Sequence, residues 1–102
     1  MTTDYVLDEL FTRLFARAHF EEARRFTDAI LETATVGLLT IERITPARFS
    51  AACRLRIRFA DKAGISFTDL TSFAVMKEKR IRDVLTNDVH FVQVGMGFRR
   101  LP

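Results

Sequence analysis

Three acidic residues stand where their carboxylates can share a divalent cation. Asp69 and Asp88 each lie at the predicted start of a helix, and Glu9 lies at the edge of the apolar stripe of another predicted helix. Oxygen ligands of this kind suit Mg²⁺ or Mn²⁺ rather than zinc. A divalent ion held by carboxylates can activate water and stabilise the transition state of phosphodiester hydrolysis. The three residues therefore predict a metal-dependent hydrolytic site.

Each acid also has a purely structural interpretation. The segment Ser66-Phe67-Thr68-Asp69 has the spacing of a capping box, and an acidic side chain stabilises the first turn of a helix. The segment Thr86-Asn87-Asp88 equally fits a turn followed by a helix cap. Glu9 can reach water from the edge of its apolar face. Considered one at a time, the residues favour capping over catalysis; considered together, they favour a metal site.

The composition is that of one small domain in reducing surroundings. The chain has 102 residues, of which 48% are hydrophobic and ten are Phe, so a packed core is expected. The single cysteine, Cys53, cannot form an internal disulfide. The net charge of +3 agrees with a polyanionic partner without requiring one. No apolar run is long enough to span a bilayer and no leader opens the chain, so the sequence predicts a cytoplasmic protein.

The elements that must position the acids alternate between helices and short apolar strands. The predicted helices cover residues 5–18, 21–34, 46 to the stop at 61–64, and 66 onward, with a short one ending near Gly95; the predicted strands cover 36–41, 83–86 and 97–102. This alternation predicts an α/β domain whose parallel sheet is flanked by helices. In such sheets ligands bind beyond the carboxyl ends of the strands, and Asp88 would lie there, after the strand at 83–86.

Two blocks of sequence carry a resemblance to a known family. They are ISFTDLTSFAVM at 65–76 and IRDVLTNDVHF at 81–91, with Asp61-Lys62 before them and Gly95 after them. The blocks resemble the C-terminal half of PIN-domain nucleases, a family that includes the bacterial VapC-like toxins and their solitary relatives. The opening segment, TTDYVLDE at 2–9, resembles the part of that family that enters the helix bearing a second catalytic acid. The resemblance covers nearly the whole chain, and the later blocks are the more specific.

The resemblance implies a metal-dependent endoribonuclease that hydrolyses RNA with Mg²⁺ or Mn²⁺. By motif match, Glu9 takes the role of the helix-borne acid, Asp69 that of the acid after the Ser-Phe-Thr turn, and Asp88 that of the acid after the Thr-Asn pair. The supporting hydrogen bonds would come from Ser66, Thr86 and Asn87. Many toxins of this family are homodimers neutralised by a small antitoxin protein. RNA, an antitoxin and a second copy of the chain are therefore the partners that the resemblance implies.

One part of the family pattern has no counterpart in this sequence. Family members begin with an apolar strand that delivers a further Asp, and nothing before Met1 corresponds to it. The expected fold is thus a PIN-like three-layer domain, N-terminally truncated, with residues 1–102 forming a single partial domain. The alternative function is a catalytically impaired remnant that binds RNA or protein. A third interpretation is a small interaction protein whose acids only cap helices.

Overall fold

The computed structural model describes residues 1–81, 83–85 and 99–101, and the chain divides into two compact units, Met1–Ile44 and Thr45–Pro102. The first unit contains β1 (Thr2–Thr3), α1 (Asp4–Arg17), α2 (Phe20–Thr35) and β2 (Ile41–Glu42). The second contains α3 (Pro46–Arg58), α4 (Phe67–Glu78), β3 (Asp83–Leu85) and β4 (Arg99–Leu101). The described residues are mostly helical and both strand pairs are parallel, which confirms the predicted α/β character in this coarse form. The PIN-like three-layer arrangement stays a prediction.

In the first unit, the start of α1 is held by side chains. The Thr3 hydroxyl accepts a hydrogen bond from the backbone N–H of Val6 at 3.1 Å and so caps the helix. The carboxylate of Asp4 accepts from the backbone N–H of Ile44 at 3.0 Å, across forty residues of chain. This second bond ties the beginning of the unit to its end, alongside the parallel pairing of β1 with β2.

The apolar run from Val36 to Ile41 is not the strand that its branched residues predict. Only Ile41–Glu42 is extended and paired, and α2 continues through Thr35. Gly37, at φ 83°, ends the helix, because its N–H and that of Leu38 donate to carbonyl oxygens of the last helical turn at 3.1 and 3.0 Å. These bonds form a Schellman motif, which requires a residue in the left-handed region. The branched residues after Thr35, although they have high strand propensity, therefore form the C-terminal cap of α2 and the turn that follows it.

The second unit is built on the packing of α3 against α4. As predicted, α3 begins with Pro46 in its first turn and Thr45 as N-cap, whose hydroxyl accepts from the N–H of Arg48 at 3.3 Å. α4 contributes the largest fully buried side chains of the described residues, which are Phe73, Leu70, Val75 and Thr71. The main cluster of apolar side chains joins the two helices through Ala52, Leu55, Phe59, Ile65, Leu70, Phe73, Ala74 and Met76. This cluster fixes the position of α4 on α3, and with it the position of the first turn of α4, which contains Asp69.

The loop between α3 and α4 is organised by one guanidinium group. α3 ends at Arg58, earlier than the glycine stop predicted at 61–64. The loop after the helix contacts Arg56, whose Nη2 donates to the carbonyl oxygens of Phe59 at 2.5 Å and Lys62 at 3.1 Å, and whose Nη1 donates to that of Ile65 at 2.9 Å. The carbonyl oxygens of Phe59 and Lys62 also accept backbone bonds, from the N–H groups of Lys62 at 2.9 Å and Ile65 at 3.1 Å, so the guanidinium joins three carbonyl groups of the loop that follows the helix.

Replacing Arg56 by Met should lower the free energy of unfolding by about 2–3 kcal/mol, because hydrogen bonds from a charged donor are the stronger kind and three carbonyl oxygens of the loop would lose this donor. Denaturant unfolding followed by circular dichroism measures this change. The matched control is Arg54→Met, on the same helix but exposed, which should change stability by less than about 0.5 kcal/mol. Equal losses in the two variants would contradict the role assigned to Arg56.

The second unit continues from α4 into a parallel strand pair. The predicted strand at 83–86 is confirmed as β3, and the predicted edge strand near the C-terminus as β4, with Asp83 opposite Arg99. α4 ends at Glu78, and Arg80, two residues further on, has φ 57°, while the N–H of Ile81 donates to the carbonyl oxygen of Met76 at 2.8 Å. The short helix predicted to end near Gly95 lies outside the described residues.

Candidate metal site

Asp69 lies in the first turn of α4 and takes part in the predicted capping box. Its backbone N–H donates to the Ser66 hydroxyl at 3.0 Å, and its carboxylate accepts from the backbone N–H of Ser66 at 3.4 Å. The second distance is long for a hydrogen bond, so this contact holds the carboxylate only weakly. A carboxylate offers about four lone-pair sites. Capping by Asp69 is therefore compatible with ligation of a cation.

Glu9 lies on α1 with a side chain that is 42% exposed. Its Oε1 is 3.8 Å from Nη2 of Arg13, one helical turn further along, and the Arg13 side chain is 70% exposed. An ion pair of this length on a helix surface contributes little to stability. The pair therefore does not fix the Glu9 carboxylate in one orientation.

The structure brings together only part of the predicted site. Ser66 and Asp69 are in contact, whereas Glu9 belongs to the other unit, and Thr86, Asn87 and Asp88 lie outside the described residues. Within residues 1–81, 83–85 and 99–101, no three His, Cys, Asp or Glu side chains form a group that could hold a metal ion. Carboxylate oxygens have the right chemistry for Mg²⁺ or Mn²⁺, but the described residues by themselves do not make a complete site.

A second feature, which the sequence did not indicate, is a groove of about 450 Å³ between α3 and α4. Its α3 wall consists of Ala47, Arg48, Ala51, Arg54, Leu55 and Arg58. Its α4 wall consists of Ala74, Lys77 and Glu78. We call it the α3–α4 groove, and basic side chains predominate along its edges.

A bidentate ion pair joins the two walls of the α3–α4 groove. Nε of Arg48 is 3.1 Å from Oε1 of Glu78, and Nη2 is 2.5 Å from Oε2. The hydrogen bond from Arg48 lowers the pKa of Glu78 below its ordinary value. The partners are thirty residues apart, so no local spacing in the sequence could have indicated this pair.

Comparison of the chain with models of protein families, with curated proteins and with solved structures found no match in any of the three. The described helices include none that is both long enough and apolar enough to cross a membrane.

Proposed function

We propose that the chain is a metal-dependent endoribonuclease of PIN type, which hydrolyses RNA phosphodiester bonds. The observation that carries this proposal is the course of the chain from α4 to β3. A helix that opens with Ser66-Phe67-Thr68-Asp69 leads through a tight turn into a short parallel strand, and Asp88 follows that strand in the sequence. The two sequence blocks that resemble PIN-domain nucleases predict the same order, a helix followed by a short strand.

In this proposal, Asp69 is a ligand whose backbone position is fixed by the capping box with Ser66. Glu9 and Asp88 provide the other carboxylates, and Thr86 and Asn87 support Asp88. The Mg²⁺ or Mn²⁺ bound by such carboxylates would supply Lewis-acid stabilisation of the phosphodiester and activation of water. The net charge of +3 assists the approach of RNA. The chain would act as the toxin of a type II toxin–antitoxin pair, as a homodimer neutralised by a small antitoxin.

Metal removal tests this proposal directly. The purified chain should cleave a fluorescently labelled RNA in Mg²⁺ or Mn²⁺, lose this activity on addition of a chelator, and regain it when Mn²⁺ is returned in excess. The chelator also serves as the control for contamination, since ribonucleases that need no metal remain active in it. Absence of cleavage, or cleavage that persists in the chelator, would contradict the proposal.

A second candidate function is an RNA- or protein-binding module without catalysis. The observation that favours it is the local engagement of the described acids, Asp69 in a helix cap and Glu9 in an ion pair. Calorimetric titration separates the two functions. A nuclease site should bind Mn²⁺, whereas a chain that binds RNA but gives no heat with Mn²⁺ is a binding module.

A further inference from the structure

The α3–α4 groove has an apolar floor made of small side chains. Ala47 and Ala51 of α3 and Ala74 of α4 have only methyl groups as side chains, and Leu55, also in the lining, is 9% exposed. A floor of alanines allows the backbone of another molecule to approach closely while apolar surface is buried. The groove can therefore accept a rod-like ligand with one apolar face.

The edges of the α3–α4 groove are positively charged. Arg54, Arg58 and Lys77 line it, and within the described part of the chain none of the three has a carboxylate at ion-pair distance. The guanidinium of Arg58 lies 5.1 Å from the centre of the Phe59 ring, which holds the side chain along the protein surface. Glu78 is the only acid among the described lining residues, and its charge is neutralised by Arg48. The groove therefore presents three cations whose charge is not balanced by these neighbours.

We propose that the α3–α4 groove is the docking site for an acidic amphipathic helix of a partner protein. Arg54 and Arg58 are one helical turn apart, a rise of about 6 Å, which matches carboxylates spaced i, i+4 on a facing helix. Lys77 on the opposite wall pairs with an acid on the other edge of that helix, while its apolar face covers the alanines. Laying an amphipathic helix in a groove is a common mode of peptide recognition.

The composition of the lining favours this partner over nucleic acid. Grooves that bind single-stranded RNA combine positive charge with aromatic side chains on which the bases stack. Of the nine described residues that line the α3–α4 groove, none is aromatic and four are Ala or Leu. The inference rests on the groove alone and does not depend on the nuclease function.

Binding of designed peptides tests the inference. The probe is a fluorescein-labelled peptide of about 20 residues, long enough to form a helix, with alanine and leucine on one face and glutamates at i, i+4 beside it. A matched peptide carries glutamine in place of each glutamate, and polyuridylate RNA is the third probe. Fluorescence anisotropy with the full chain should show at least about tenfold tighter binding of the glutamate peptide than of the glutamine peptide.

Substitutions of groove residues test whether the glutamate peptide binds in the α3–α4 groove. The double variant Arg54→Gln/Arg58→Gln should weaken binding of the glutamate peptide by about tenfold or more, and Lys77→Gln by about threefold. Arg24→Gln/Arg25→Gln removes the same charge from the exposed surface of α2 and should change binding by less than about twofold. Circular dichroism establishes that each variant is folded, and Lys77→Gln, which touches no aromatic contact, provides the test if the arginine variant is unstable.

Three results would overturn the inference. The first is equal binding of the glutamate and glutamine peptides. The second is an equal loss of peptide binding in the groove variant and in the α2 variant, because the effect would then be one of net charge. The third is polyuridylate binding that depends on Arg54 and Arg58 while the glutamate peptide does not bind, since the groove would then be a nucleic-acid surface.

Discussion

Asp69→Asn should lower the rate of the proposed RNA cleavage by about a hundredfold or more, because removing the charge of a proposed metal ligand removes several kcal/mol of transition-state stabilisation. Its effect on stability should be below about 1 kcal/mol, since the Asn side-chain oxygen can still accept the bond from the N–H of Ser66. The resemblance gives Asp88, which lies outside the described residues, the same role, so Asp88→Asn should reduce cleavage to a similar extent. Cleavage of labelled RNA in Mn²⁺, together with denaturant unfolding, measures both quantities.

The matched control for Asp69→Asn is Thr45→Ala. Thr45 caps α3 through its hydroxyl, as Ser66 caps α4, and it has no proposed role in the metal site. Thr45→Ala should lower stability by about 1 kcal/mol and leave cleavage nearly unchanged. If both variants lose activity in proportion to stability, or if Asp69→Asn retains full activity, then Asp69 is a helix cap and nothing more.

Phe73→Ala should cause the largest loss of stability among single substitutions in the described part of the second unit, about 3–5 kcal/mol. The Phe73 side chain is fully buried in the cluster between α3 and α4, so its removal leaves a cavity that the two helices cannot fill without moving. A small domain is stable by only about 5–15 kcal/mol, so the variant should unfold partly near body temperature.

Phe26→Ala is the control for Phe73→Ala. It removes the same side chain from a position on α2 that is 50% exposed, and should cost less than about 1.5 kcal/mol. Denaturant unfolding followed by circular dichroism compares the two variants. A similar cost for both would show that the packing of α3 on α4 does not dominate stability.

The features predicted correctly from sequence are those set by short-range interactions. The cap of α3 by Thr45 and the capping box of Ser66 with Asp69 involve residues within three positions of one another, so their spacing alone indicates them. The helix stop at Gly37 was missed although it is local, because the branched residues around it have the higher strand propensity. At this position the left-handed conformation of Gly37 ends the helix, although the residues around it have high strand propensity.

The contacts that sequence reasoning missed connect residues distant in the chain or depend on a loop conformation. The bidentate pair of Arg48 with Glu78 forms only once α3 and α4 are packed, and the bonds of Arg56 require a turn that brings carbonyl groups around one guanidinium. The proposed metal site could not be fully predicted from the sequence for the same reason. The residue types of Glu9 and Asp69 can be read from the sequence, but whether their carboxylates meet is a matter of tertiary geometry.

The end of α4 has a consequence for the strand that follows. Arg80 has the left-handed conformation that Gly37 has at the end of α2, and the hydrogen bonds that flank it have the same pattern. An arginine has no intrinsic preference for that conformation, so the conformation is imposed on it from both sides. Ile81 packs against the core and returns its N–H to Met76. The half-buried Ile81, anchored by its packing and by this hydrogen bond, thus holds Arg80 in the left-handed conformation and fixes where the chain leaves α4.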